Sequence, residues 1–242
     1  MSATLTVDLG APASERWTLP PRLAEQAQAL TQAYTAELGG VDAFGELLTA
    51  YASEHVRADH LEEVESIAAQ TDQPVEEVLL GNLYYDAVKL VLGCTAFAVD
   101  TPDGPLHARN LDWWTENDAL SNFTLVTDFV KGGELSFRTV GWPGFVGALS
   151  GVAPGRFAVT LNAVLSGEPS AAEASISFLI RSVLEEARTF TEAVERLELV
   201  MNWTAQNRAE SAVGCSPLFH RVIPDSDPGS MRRLGKVERA YG

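Results

Sequence analysis

Hydrophobic and polar positions fall into three patterns along the chain. After a short extended start, TLTVDLGAP, apolar residues up to about position 93 recur at helical spacing. Pro20-Pro21 opens a predicted helix through RLAEQAQALTQAYTAEL, and Gly39-Gly40 stops it. Residues 41–70 carry mixed apolar and acidic positions at the same spacing. In TDQPVEEVLLGNLYYDAVKLV, Asp72 is a capping candidate, Pro74 falls in the first turn, and Glu76-Glu77 lie near the positive helix end. Apolar positions wrap much of that helix, which predicts burial, with Tyr84 and Tyr85 as core.

From residue 94 the period changes to that of strands. CTAFAV and PLHARNL flank DTPDG and predict a first β-hairpin. FTLVTDFV and ELSFRTV flank Lys131-Gly132-Gly133 as a second, and FVGALSG and RFAVTLN flank VAPG as a third. Six strands with tight turns predict antiparallel sheets, single or stacked. Residues 171–200 return to helix, with Thr191 as a cap candidate. Helices, then strands, then helices predict an α+β fold. Residues 201–242 show neither period, and the charge balance shifts there. They hold six basic and four acidic residues, against eleven and twenty-nine in the first 200. They read as a divergent, poorly ordered tail. The division is therefore 1–93, a helical segment; 94–200, hairpins then helices; and 201–242.

Composition narrows the function. The net charge of −16 opposes binding to nucleic acid and to anionic membrane surfaces. The most apolar window, residues 78–99, contains Asp86 and Lys89 and does not read as a membrane segment. The opening residues lack the basic and apolar regions of a secretory signal, so a cytoplasmic location is expected. Two cysteines, Cys94 and Cys215, cannot build a disulfide framework, and the four scattered histidines match no metal spacing. No metal or cofactor is expected.

The chemistry concentrates at the first hairpin. Centring its turn between residues 102 and 103 makes Cys94 and Asn110–Leu111 cross-strand neighbours, flanked by Arg109 and Asp112. A guanidinium beside a thiol favours the thiolate, and a carboxylate can orient the thiol or a nearby amine. His107 falls out of phase with Asn110, well inside the hairpin, and reads as structural. Another base arises if the chain is cut before Cys94. Its new α-amino group, with a reference pKa near ~8, could take the thiol proton. Gly93 fits this, because without a Cβ it leaves its carbonyl open to the following thiol. The spacing alone leaves two readings open. One is this nucleophile; the other is an inert packed cysteine beside a local ion pair worth about 0–1 kcal/mol.

The stretch CTAFAVDTPDGPLHARNLDW resembles the start of the β-subunit in the acid ceramidase and N-acylethanolamine acid amidase family, with Ala108 where the family has glycine. TVDLGAPASERW, IAAQTDQPVEEVLLGNLYYD and GFVGALSGVAPGRFAVTLN are similar to further family segments, in order, over about residues 4–200. The resemblance implies an N-terminal-nucleophile hydrolase, an αββα sandwich of antiparallel sheets. It implies self-cleavage between Gly93 and Cys94 into α- and β-chains that stay associated, and hydrolysis of linear fatty acyl amides. Cys94 would be nucleophile and, through its amine, base; Arg109 and Asp112 would orient it. Trp113, Trp114 and Trp142 would border an acyl channel, and Asn162, Ala163 and Trp142 would serve the oxyanion or substrate. The chain departs from the family in two places. Ala163 stands where the family has glutamate, and the family's later strand ending in Gly-Gly-Asn, with a following arginine, is absent from 201–242, so the chain looks shortened at its C-terminus. An acyltransferase using the same thioester, or a non-catalytic relative with an apolar pocket, are the alternatives.

Overall fold

Strand β1 (Ala3–Asp8) buries Leu5 and Val7 and exposes the residues between them, as its alternation predicts. Four helices follow in this computed structural model: α1 (Pro21–Glu37), α2 (Gly45–His55), α3 (Ala58–Thr71) and α4 (Val75–Val88). Next come the paired strands β2 (Gly93–Thr101) and β3 (Gly104–Asp112), then the short α5 (Ala119–Asn122). Strands β4 (Leu125–Lys131), β5 (Glu134–Gly141), β6 (Ser150–Ala153) and β7 (Phe157–Ala163) precede α6 (Ile176–Glu186) and α7, residues 190–197. Strand β8 (Cys215–His220) comes last. The structure describes residues 3–41, 45–88, 93–102, 104–112, 119–163, 175–197 and 215–220. For Cys94, Thr95, Asp112, Ala163 and all of β8 that description is of the backbone.

The strands form a six-stranded sheet ordered β1-β4-β5-β6-β7-β8 and a separate two-stranded sheet, β2-β3. All three predicted hairpins are present as antiparallel pairs. The large sheet is mixed rather than antiparallel throughout, because β1 joins β4 in parallel. Four helices and a hairpin separate the two strands in sequence, ample for the crossover that parallel pairing needs. One face of this sheet packs on the helices. Gly151, paired with Val159, lies against Leu184 of α6, and Phe129, Phe137, Phe157 and Leu161 are buried in the same core. The other face carries Ser150 and Thr160 and receives β2-β3. The fold is α+β as expected. Among the described residues it has three layers: helices, large sheet and small sheet.

Local differences from the sequence reading have local causes. Residues 145–149 were expected in a strand, but their backbone groups are spent on helices. Val146 N–H donates to Asn82 Oδ1 at 2.7 Å, and Ala148 N–H to the Ser177 carbonyl at 2.9 Å. A Cβ at Gly147 would stand 2.8 Å from Ser177 Oγ, so the close approach needs glycine. Asp72 does not cap α4; it closes α3 in the left-handed region, φ 52° and ψ 47°, which a short polar side chain tolerates. Thr189, not Thr191, caps α7. Its hydroxyl accepts from Glu192 N–H, while Glu192 reaches back to accept from the N–H of Arg188, the residue before the cap. Within the supposedly unstructured tail, Cys215–His220 pairs with β7 as an edge strand. Tyr84 and Tyr85 are buried as predicted, and Tyr84 stacks on Tyr34 with centroids 4.3 Å apart.

The helical layer meets the large sheet through buried charge. Arg181 of α6, fully buried, lies 4.1 Å over the Phe129 ring and 5.3 Å from that of Phe137. Its Nη1 is 3.4 Å from Oε2 of the equally buried Glu63 on α3. Glu63 also accepts from Arg16 at 2.8 Å and from Trp17 Nε1 at 2.7 Å. Buried His60 stacks on Phe178 and sits 3.4 Å from Glu185. Burial pushes the Glu185 carboxyl up, but the His60 hydrogen bond and the Arg181 and Arg57 charges outweigh it and hold it below the ordinary range. Asp59 is held low in the same way: burial raises it, and Arg57, His60 and Arg16 more than compensate.

Two outcomes follow for stability. Glu63→Leu strands Arg181 without its partner and costs about 3–5 kcal/mol, read from urea unfolding, while Glu63→Leu with Arg181→Met recovers most of the loss. Depressed carboxyl pKa values contribute stability above the unfolded pKa that disappears as pH falls. Urea midpoints are therefore level above about pH 5 and fall as the pH drops through about 4, and Arg57→Gln makes that fall shallower.

Candidate active site

The hairpin β2-β3 has two unlike faces. Phe97, Val99 and Leu106 point outward, 53%, 43% and 51% exposed, with Asn110 on the same side. Ala96, Ala98, His107, Arg109 and Leu111 alternate with them and are half-buried. The register pairs Cys94 with Leu111, Thr95 with Asn110 and Gly93 with Asp112. The predicted neighbours therefore meet at the open end of the hairpin, and position 94 is in phase with Ala96 and its partner Arg109.

Two side chains of the inner face tie the hairpin to β7. His107 Nε2 lies 3.0 Å from Thr160 Oγ1. Arg109 Nη2 donates to the Leu161 carbonyl at 2.8 Å, and Nη1 reaches Ser150 Oγ at 3.5 Å. His107 is thus packed on β7, but its phase does not set it apart: it shares the face of position 94, and its bond to Thr160 is what occupies it. Arg109 spends one donor of its fork on β7, which fixes the guanidinium's position. Asn162 is half-buried one residue beyond Leu161, and its Oδ1 is buried without a hydrogen-bond partner among the described residues. The backbone of Ala163 pairs with Cys215, so the chain's second cysteine belongs to the strand beside this end of β7.

Trp142 is seated among α1 and α4. Its Nε1 donates to the Leu120 carbonyl at 2.9 Å, and it meets Phe145 edge-on at 5.6 Å. The cavity it lines with Tyr34, Asn82 and Phe145 holds about 20 Å³, room for about one water rather than an acyl chain. The turn after β5 puts it there: Gly144, at φ 80°, brings the backbone against Ala27 of α1. Trp113 and Trp114 lie outside the described residues, as do the side chains of Cys94, Asp112 and Ala163. The sequence reading missed Ser150, Thr160 and the Leu161 carbonyl. Thr160 had a signal, a polar residue inside the apolar strand FAVTLN; a carbonyl has none. Among the described residues no cluster of three or more His, Cys, Asp or Glu could hold a metal ion, and no helix is long and apolar enough to cross a membrane.

The fold is α+β, with the hairpin that carries Gly93 and Cys94 tied to the larger sheet through His107 and Arg109. Sequence relatives add to this. Residues 99–210 match the family model described as acyl-coenzyme A:6-aminopenicillanic acid acyl-transferase. The N-acylethanolamine-hydrolyzing acid amidase of Caenorhabditis elegans is 33% identical over 150 residues, 55% of this chain and 42% of that protein. The acid ceramidases of Balaenoptera acutorostrata scammoni and Homo sapiens are 32% and 30% identical, each over 54% of this chain and 39% of theirs. The solved structure of the Caenorhabditis elegans amidase ortholog superposes with a TM-score of 0.42 at 26% identity, over 53% of this chain and 55% of that one. Over about half its length the chain is similar to acid ceramidases and N-acylethanolamine acid amidases. It spans about two-fifths of the length of the curated relatives it matches.

Thr160→Val removes the partner of His107 at nearly constant volume. It costs about 1 kcal/mol and speeds amide exchange selectively in residues 94–99 and 105–111, read by hydrogen–deuterium exchange; Thr160→Ser restores protection.

Proposed function

We propose that the chain is a cysteine amidohydrolase of linear fatty acyl amides, activated by its own cleavage between Gly93 and Cys94. The observation that carries the reading is the pairing of that bond with Leu111-Asp112 in a hairpin anchored by Arg109, in a chain about 30% identical to amidases of such substrates. In activation the Cys94 sulfur attacks the Gly93 carbonyl, and the peptide nitrogen leaves as the Cys94 amine. Water then hydrolyses the thioester, freeing the Gly93 carboxylate. In turnover the amine takes the thiol proton and the thiolate attacks the acyl amide. The ammonium returns the proton to the leaving amine. Water, deprotonated by the same amine, then cleaves the acyl-thioester.

Cleavage leaves the halves joined. The β1–β4 ladder crosses the cut, as do the contacts of Glu63 with Arg181, and no metal or cofactor enters the chemistry. The anionic surface fits a small acyl amide rather than nucleic acid, and the reduced thiol suits the cytoplasm. A second reading, acyl transfer, is favoured by the acyltransferase family model, which covers β3 to β7. There an amine, not water, takes the acyl group.

Purified protein is expected to run on denaturing gels as two bands, the second starting at Cys94 by N-terminal sequencing, and to elute as one species under native conditions. Cys94→Ala stays uncut and inactive toward a fatty acyl amide with a chromogenic amine. Cleavage of that variant at the same bond would overturn the reading. Adding an acceptor amine and weighing acid against new amide separates hydrolysis from transfer.

A further inference from the structure

We infer that the side-chain oxygen of Asn162 is the hydrogen-bond acceptor that receives the α-amino group of Cys94 once the chain has been cut. The inference rests on the proposed self-cleavage and adds a positioning residue to it.

Two ties set how the hairpin runs along β7. His107 meets Thr160, and Arg109, two residues nearer the hairpin's open end, meets the carbonyl of Leu161. A step toward the open end is therefore a step toward the C-terminal end of β7. One further step along β3 is Leu111, whose partner is Cys94. On β7 the next position sharing the Thr160 face is Asn162. The backbone nitrogen of Cys94 and the side chain of Asn162 thus fall at the same level of two packed strands.

Asn162 also carries an unmet need. Its Oδ1 is buried and accepts no hydrogen bond from the described residues. A buried acceptor left unpaired is costly, and native proteins seldom tolerate one without a use. Before cleavage the Cys94 nitrogen is a peptide nitrogen with a single N–H. Cutting the Gly93–Cys94 bond turns it into an amine with additional donors and no new acceptor in its own strand. Asn162 Oδ1 supplies that acceptor. By holding one N–H it turns the amine's lone pair toward the thiol, the geometry the base requires.

The decisive property is timing: the bond exists only after the cut. Asn162→Leu is expected to cleave itself at close to the wild-type rate, while kcat for an acyl amide falls about 10- to 100-fold with little change in KM. Asn162→Asp keeps the acceptor and adds charge. It retains turnover within a few-fold, and the acid limb of its kcat profile moves to higher pH because the carboxylate favours the ammonium. If Asn162→Leu slows cleavage and turnover equally, or neither, the assignment fails. Loss of turnover in Asn162→Asp equal to that in Asn162→Leu would make the group an oxyanion donor instead and overturn it too. A wild-type chain that stays uncut would sink the cleavage reading itself, an outcome distinct from these. Unfolding midpoints of both variants within about 1 kcal/mol of wild type exclude a folding defect as the cause.

Discussion

One guanidinium organises this molecule. Arg181 is buried with its plane against two phenylalanines of the central sheet, and its charge is answered by Glu63 across the helical layer. Taking both charges out of water is expensive, and further hydrogen bonds to the pair offset part of that cost. Glu63 gains them from Arg16 and Trp17, residues of the segment that leaves β1. The first strand, α3, α6 and the β4-β5 pair are therefore fixed against one another by a single ion pair and its neighbours.

The same pair explains how a chain could be severed after residue 93 and remain one body. Arg16, Trp17 and Glu63 lie before the candidate bond, and Phe129, Phe137 and Arg181 after it. The parallel β1–β4 ladder crosses the same divide. A cut in the 93–94 linkage would leave these ties untouched, because they lie in the helical layer and the large sheet rather than in the hairpin.

Most of the architecture was legible in the pattern of the chain, and the failures share a cause. Turn clusters at 100–104, 131–133 and 152–155 marked three hairpins because glycine, proline and aspartate act through local backbone geometry. Counting from the first turn was enough to pair Cys94 with Leu111. What the pattern did not carry was non-local. The parallel seat of β1 depends on a strand more than a hundred residues away. Residues 145–149 are apolar enough for a strand, yet Asn82 and Ser177 claim their amides. Asp72 looked like a helix start and is a helix end, because one short polar side chain serves both roles. At the candidate site, Cys94, Arg109, Asp112 and Asn162 are sequence expectations, and the register brings Cys94 and Arg109 onto one face of the hairpin. The anchors on β7 could not all be named from the sequence, since Leu161 contributes a carbonyl that no residue type announces.

The contrast between the two sheets bears on the chemistry. The large sheet is buried on its helical face by aromatic and aliphatic side chains and pinned by buried charge, so its geometry is over-determined. The hairpin has no such backing. Its outer face presents Phe97, Val99 and Leu106 to solvent, and its inner face rests largely on alanines and on the polar reach of His107 and Arg109. Each of those bonds stabilises by about 1 kcal/mol, so a handful of them decides where the Gly93–Cys94 bond sits. A nucleophile's strand held by few directional contacts keeps its alignment, because hydrogen bonds to a rigid strand specify position more sharply than apolar packing does. Under the proposed self-cleavage, it would also leave room for the backbone to change form. Alignment would then come from β7 and freedom from the thinly packed hairpin, with the Gly93–Cys94 bond at the hairpin's open end.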